Sequence, residues 1–206
     1  MLLLNKFLSV VLIVLISFFI SCGDNEEKKQ APLKDFKDPA VQLKEAKSLL
    51  GEDAQMTFLG NFDKNKNEEL IAASEINTKD EWGIKFTSIK LNNEKPEKVF
   101  ETKLLEGSLE DSRLEKLNLS SKDYELLYYH SGDFFMGSGG GEVFSYVIDF
   151  EEEEVYYAHL VADNKKISLY ISDNISDDEV KQLFLNTYKR DFPAYVLVQE
   201  DVLYED

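Results

Sequence analysis

The sequence predicts an α+β fold that is mostly β, an antiparallel meander of about 8–10 strands with a short N-terminal helix and one C-terminal helix. From Gln55 onward, apolar and polar residues alternate in short runs, which is the period of strands. Only two segments carry helix signals, one before this region and one near the C-terminus. Two similar units, Glu69-Leu70-Ile71 and Glu125-Leu126-Leu127, begin 56 residues apart, and each leads through a loop into a further strand. Repeats near this length also occur as propeller blades, so partial propeller-like repeats are the alternative, and ordinary hairpins that look alike are a third interpretation.

The individual elements follow from local signals along the chain. Asp38 can cap the first helix, because Pro39 suits its first position and Gly51 the place just past its end. A capping box of Ser176 and Glu179 predicts the start of the second helix. Between and after the helices, the expected strands are Gln55–Leu59, Glu69–Ile76, Ile84–Leu91, Lys98–Leu104, Arg113–Leu119, Tyr124–Ser131, Glu142–Phe150, Val155–Val161, Lys166–Ser172 and Ala194–Val198.

The first 21 residues have the features of an export signal. Lys6 is the only charge before Cys22, and an apolar or small run extends from Phe7 to Ile20. This stretch resembles the lipobox of bacterial lipoproteins, with Phe19 at the place where the common pattern has Leu. The resemblance implies cleavage before Cys22 and attachment of lipid to its sulfur. The alternative is an uncleaved anchor, for which the run from Phe7 is about six residues shorter than the roughly 20 that a spanning helix needs.

The expected organisation is a signal peptide at residues 1–21, the lipidated cysteine and a flexible tether at 22–37, and a single mostly-β domain at 38–206. The expected location is the bacterial cell envelope, with the lipid as the contact to the membrane. Gly23 follows the cysteine, so the Asp that retains some lipoproteins at the inner membrane is absent there. The outer membrane or the cell surface is therefore the expected site. A formal net charge of −17 excludes nucleic acid as a partner, and it favours cations, basic partners or simply solubility.

One polar loop carries the pattern of a cation site. Asn61, Asp63, Asn65 and Asn67 place oxygen-bearing side chains at alternate positions, and Glu69 adds a carboxylate. Calcium takes six to eight oxygen ligands. Residues 60–70 resemble the calcium loop of integrin-type FG-GAP and VCBS repeats, and the resemblance implies Ca²⁺ as a cofactor. The alternative is an Asn-rich turn held by its own hydrogen bonds.

A glycine-rich segment, residues 137–141, lies between two strand runs. A phosphate-binding loop needs a helix after the glycines, and here a strand follows. The functional interpretation is a loop that contacts a protein or carbohydrate ligand through Asp133, Gly137, Gly139 and Gly140. The alternative is a mobile hairpin tip.

No catalytic motif accompanies the two histidines, His130 and His159. The first hypothesis is therefore a membrane-anchored lipoprotein with a non-enzymatic role in binding or in the envelope. The alternative is a metal-assisted envelope hydrolase that uses His130 and Asp133, or the 61–69 loop. Convergence of His130, Asp133 and Glu142 in one concave pocket would favour that alternative, and a flat exposed loop would disfavour it. The four glutamates at 151–154 are expected to form a solvated turn.

Overall fold

A computed structural model describes residues 36–65, 67–91, 95–110, 112–135, 140–163 and 166–203. The predictions for the signal, for Cys22 and for all but the end of the tether fall outside these residues, as do Gly137 and Gly139. The helices are α1 (Pro39–Leu50) and α2 (Asp178–Asp191). The strands are β1 (Ala54–Gly60), β2 (Glu69–Asn77), β3 (Trp82–Leu91), β4 (Pro96–Glu101), β5 (Ser112–Leu117), β6 (Leu126–Phe135), β7 (Gly140–Asp149), β8 (Glu154–Asp163), β9 (Lys166–Ser172) and β10 (Val196–Leu203).

The mostly-β fold with one helix near each end is confirmed, and the strands are divided between two sheets. The first meander, β1 to β4, forms a four-stranded antiparallel sheet in the order β1-β2-β3-β4. The second meander, β5 to β9, is antiparallel as well, and β10 extends its sheet to the order β10-β9-β8-β7-β6-β5. Strand β10 pairs in parallel with β9, because α2 connects them as a crossover.

The two sheets and two helices form four layers with three apolar contacts between them. Ile71 and Phe86 of the first sheet share one core with Tyr129 and Ile148 of the second, so the sheets pack face to face. On the outer side of the first sheet, Ala46 of α1 packs against an apolar cluster. The outer side of the second sheet packs against α2. The two meanders are therefore stacked layers, which differs from the radial arrangement of propeller blades.

The 56-residue repeat corresponds to strands β2 and β6, which occupy equivalent places in the two meanders. Ile71 and Leu127, which are equivalent in the repeat, meet in the core between the sheets. The loops before these strands also touch. Glu125 N donates to Asn61 O at 2.6 Å, and Asn61 N donates to Glu125 Oε2 at 2.9 Å. The fold therefore places the 61–69 loop beside the loop at 120–125.

The start of α2 differs from the expected capping box. Asp177 is the N-cap, and its carboxylate accepts from Glu179 N at 2.8 Å. The Glu179 carboxylate instead accepts from Ser120 N and Ser120 Oγ, at 2.7 and 2.8 Å. A charged acceptor at Asp177 suits the positive end of the helix better than the hydroxyl of Ser176, and it leaves Glu179 free to bind the neighbouring loop.

Candidate functional site

A cleft of about 460 Å³ opens beside the 61–69 loop. We call it the carboxylate cleft. Four of the five predicted metal ligands line it together with Lys90: Asp63, Asn65, Asn67 and Glu69. Asn61 is not among the lining residues, and its amide nitrogen instead points to Asp123 O at 3.5 Å. The structure thus brings four of the five predicted ligand residues together at one cleft.

Two buried carboxyl groups form the floor of the carboxylate cleft. Asp63 is 4% exposed and Glu69 is 3% exposed. Among the described residues, no N–H or O–H donor pairs with the Glu69 carboxyl, and its hydrogen-bonding neighbour is the Asp63 carboxyl. Burial raises the pKa of Glu69 to about 7, and the negative charges of Asp63 and Glu151 add to this effect, while the positive charge of Lys90 opposes it. Glu69 therefore changes charge near neutral pH.

Asp63 has the opposite balance. Burial acts to raise its pKa, but hydrogen bonds from the Asn65 side chain and backbone, together with the charge of Lys90, bring the pKa below its usual value. Asn65 N donates to Asp63 Oδ1 at 2.8 Å, and Asn65 Nδ2 donates to Asp63 Oδ2 at 3.0 Å. These are the local bonds that an Asn-rich turn requires, and they hold the Asp63 carboxylate at the mouth of the loop.

Two cations and an acidic turn complete the surroundings. Lys90 of β3 lies directly across from Glu69 in the strand register, with its Nζ 3.5 Å from Asp63 Oδ2. Lys64 turns away from the cleft and pairs with Glu151 and Glu152. The turn at 151–154 is largely exposed, as the sequence predicts for a solvated turn, and two of its glutamates also tie it to the 61–69 loop.

The carboxylate cleft combines two acidic groups with amides, and it is not a cluster of strong metal ligands. Within the described part of the chain, no group of three or more His, Cys, Asp or Glu side chains is placed to hold a metal ion. Asn65 and Asn67 contribute neutral groups beside Asp63 and Glu69. Such a mixed set of oxygen ligands suits a hard cation such as Ca²⁺ better than a transition metal.

The equivalent loop of the second meander holds a lysine against a buried carboxylate. Lys122 Nζ lies 3.0 Å from Asp149 Oδ2 and 3.0 Å from the Tyr124 hydroxyl. Tyr124 also donates to Asp149 Oδ2 at 3.0 Å, and Glu152 N donates to Asp149 Oδ1 at 3.0 Å. Burial acts to lower the pKa of Lys122, but these bonds outweigh it and raise the pKa above its usual value. The ammonium therefore neutralises a carboxylate that has no exposed surface.

His130 and Glu142, the two residues of the enzyme hypothesis whose side chains are described, lie on opposite faces of the second sheet. His130 Nδ1 lies 2.9 Å from Ser145 Oγ and 3.0 Å from the Tyr128 hydroxyl, on the face of the second sheet that packs against α2. Glu142 pairs with His159, with 3.1 Å between Glu142 Oε2 and His159 Nε2. His130 and Ser145 are cross-strand partners, so their side chains share one face of the sheet. Glu142 is three residues before Ser145 in β7, and because side chains alternate along a strand, it projects from the opposite face.

The predicted ligand loop begins and ends inside strands. Asp133 belongs to β6 and pairs with Glu142, and Gly140 is the first residue of β7. Gly137 and Gly139 lie outside the described residues, as does the side chain of Asp133. The described residues therefore show a long β6–β7 hairpin at this place.

Burial and the nearby Arg113 lower the pKa of His130 to about 4. The ring is therefore neutral near neutral pH. Its Nε2 lies 3.6 Å from Asp191 Oδ2 at the end of α2. His130 also lies beside Thr187 and Tyr188 of α2, so it packs between the second sheet and this helix.

No protein-family model, no curated protein and no solved structure matches the chain. No helix among the described residues has the length and apolar character needed to cross a membrane.

Proposed function

We propose that the protein is a lipid-anchored protein of the bacterial cell envelope whose β domain is a non-enzymatic binding module that holds Ca²⁺ in the carboxylate cleft. The observation that carries the calcium proposal is the Glu69 carboxyl, which is 3% exposed and faces Asp63 without a donor of its own.

Burying a carboxylate is costly unless a donor or a cation compensates it. In the carboxylate cleft, Asn65 donates to Asp63 and Lys90 lies 3.5 Å from it, whereas Glu69 has no donor of its own, and the positive charge of Lys90 only partly offsets its burial and the like charge of Asp63. A divalent cation between Asp63 and Glu69 would satisfy both groups. Asn67 lines the same cleft, and water can supply the remaining oxygen ligands of Ca²⁺.

Thermal unfolding of the full-length chain in detergent tests the calcium site. With two charged ligands, we expect affinity in the weak extracellular range of about 10⁻⁴–10⁻³ M. Calcium at 100 times the dissociation constant should stabilise the fold by about 2.7 kcal/mol, and magnesium should do so less. Asp63→Ala should abolish the increment. Asp80→Ala is the matched control, because Asp80 is an exposed carboxylate in the β2–β3 turn and should leave the increment intact. If several millimolar calcium gives no increment in the unchanged chain, the loop is an Asn-rich turn.

The anchor rests on the sequence around Cys22, the only cysteine of the chain. Two or three acyl chains on one residue hold a protein stably, because each buried methylene contributes about 0.8 kcal/mol. The tether separates the acidic domain from the headgroups, and we propose the outer membrane or the cell surface as the location. Growth with a tagged fatty acid should label the unchanged chain but not a Cys22→Ser variant. A chain that takes up no label would rule out the anchor.

A further inference from the structure

We propose that the Lys90 ammonium occupies the carboxylate cleft when no divalent cation is bound, and that Ca²⁺ enters by displacing it. This inference rests on the proposed calcium site and describes how that site is regulated.

The position of Lys90 follows from the strand register. It is the cross-strand partner of Glu69, and both side chains point to the inner face of the first sheet, as Ile71 and Phe86 do. Lys90 Nζ reaches Asp63 Oδ2 at 3.5 Å and lines the carboxylate cleft. The ammonium therefore lies next to the oxygen atoms that a metal ion would bind.

The charge balance of the cleft is incomplete with Lys90 alone. When both are ionised, Asp63 and Glu69 bring two negative charges, and the single ammonium, which attracts both, can neutralise only one of them. Glu69 is the less compensated group, since it is buried without a donor of its own and lines the cleft. A divalent cation carries the charge that both groups need, which gives it an advantage over the tethered ammonium.

The grip on Lys90 is loose when compared with that on Lys122. Lys122 lies 3.0 Å from Asp149, has a second bond to the Tyr124 hydroxyl and is 21% exposed. Lys90 lies 3.5 Å from Asp63 and is 43% exposed, so water already reaches much of its side chain. Each meander thus places one lysine beside a buried aspartate. Lys122 is held closely, whereas the weaker contact of Lys90 leaves it able to be displaced by a cation.

Calcium titration calorimetry on full-length chains in dodecyl maltoside tests the exchange. Lys90→Gln should tighten calcium binding about tenfold, because the competing charge is gone. Lys85→Gln is the matched control. It removes one positive charge from the same strand, but residue 85 lies on the opposite face and outside the cleft. We expect the dissociation constant of the Lys85→Gln chain to change by less than about twofold, since a charge outside the cleft and at a distance from it is screened.

The outcomes separate the two proposals. Equal affinities for the unchanged chain and for Lys90→Gln overturn the exchange and leave the calcium site standing. Absence of binding in both chains overturns the site and the exchange together. Native circular dichroism of each variant confirms that a folded chain is being titrated.

A second measurement uses the unchanged chain and needs no variant. Brief reductive methylation should modify Lys90 faster in the presence of saturating calcium, because its ammonium is then released to solvent. Mass spectrometry measures the extent of modification at each lysine. Lys85 and the bound Lys122 should react at the same rates with and without calcium. A Lys90 rate that calcium leaves unchanged, or slows, overturns the proposal.

Discussion

Replacing Lys122 by Met should destabilise the domain by about 3 kcal/mol. Removing one partner of a buried ion pair costs about 3–5 kcal/mol, because the other charge stays buried. Asp149 has no exposed surface, which places it in this class. Lys122 is 21% exposed, and Tyr124 and Glu152 continue to donate to Asp149, so the low end of the range applies. A loss of this size corresponds to a fall of about 6–12 °C in the melting temperature for a chain of this length.

Urea unfolding followed by far-ultraviolet circular dichroism measures this loss. Trp82, the only tryptophan, lies in β3 and is 51% exposed, so its fluorescence gives a second probe from the first sheet. The matched control is Lys47→Met. Lys47 pairs with Glu52 at 2.8 Å, but Glu52 is 87% exposed, and such surface pairs contribute about 0–1 kcal/mol.

A double variant shows whether the buried charge is the cause. Lys122→Met combined with Asp149→Asn leaves no charge at this place, and it should be more stable than Lys122→Met alone. The reasoning is refuted if Lys122→Met costs less than about 1 kcal/mol, or if the losses of the two single variants simply add.

Three further predictions concern pH and packing. Without calcium, the pKa of the Glu69 carboxyl is about 7 in the folded chain and 4.5 in the unfolded chain. Its contribution to the free energy of unfolding is therefore full below pH 4.5 and is lost as pH rises through 7. Glu69→Gln should remove this pH dependence of stability, as measured by urea unfolding at several pH values. His130 acts in the opposite sense, because its pKa is about 4 in the folded chain and 6.5 in the unfolded chain. Its contribution to the free energy of unfolding is full above pH 6.5 and is lost as pH falls through 4. His130→Gln should therefore lose less stability on acidification than the unchanged chain in the same unfolding series. Gly60→Ala should lower the free energy of unfolding in urea by about 1–3 kcal/mol, because the added methyl group would lie 2.4 Å from Glu125 Oε2 and 2.8 Å from the buried Phe62 ring. An unchanged free energy of unfolding would mean that the Glu125 and Phe62 side chains can move aside without loss of stability.

Local patterns predicted the elements better than their arrangement. Strand β9 runs from Lys166 to Ser172 as expected, because its alternation is regular and clear turn residues flank it. The expected strand to Leu104 ends earlier, at Glu101, but the chain stays beside β3, where Ile84 N donates to Leu105 O at 2.8 Å. After this contact the chain leaves the first sheet and enters the second with β5. No local sequence signal distinguishes this crossing from an ordinary turn between neighbouring strands, because the division into two sheets results from the packing of distant faces.

The candidate site shows the same division. Alternation within one loop is enough to place Asp63 and Glu69 in the same cleft, because the side chains of a tight loop are close in sequence. Sequence patterns do not indicate that Lys90 belongs to the site or that Glu151 lies near it. Lys90 reaches the cleft through the pairing of β2 with β3, and Glu151 pairs with Lys64 of the 61–69 loop through the turn after β7 in the other sheet. Such positions depend on register and sheet stacking, which short sequence patterns do not encode.

The four-layer arrangement also decides where this domain is prone to aggregate. Helices cover both broad outer faces, so strand edges are the surfaces left for unwanted pairing between copies. Edge strand β4 begins with Pro96 and carries the charged Lys98, two features that oppose the addition of a foreign strand. Edge strand β10 instead presents Val196 and Val198, which are 63% and 54% exposed. Of these two edges, we therefore expect β10 to be the more prone to pair with another copy, and Val198→Lys is the substitution that should protect it.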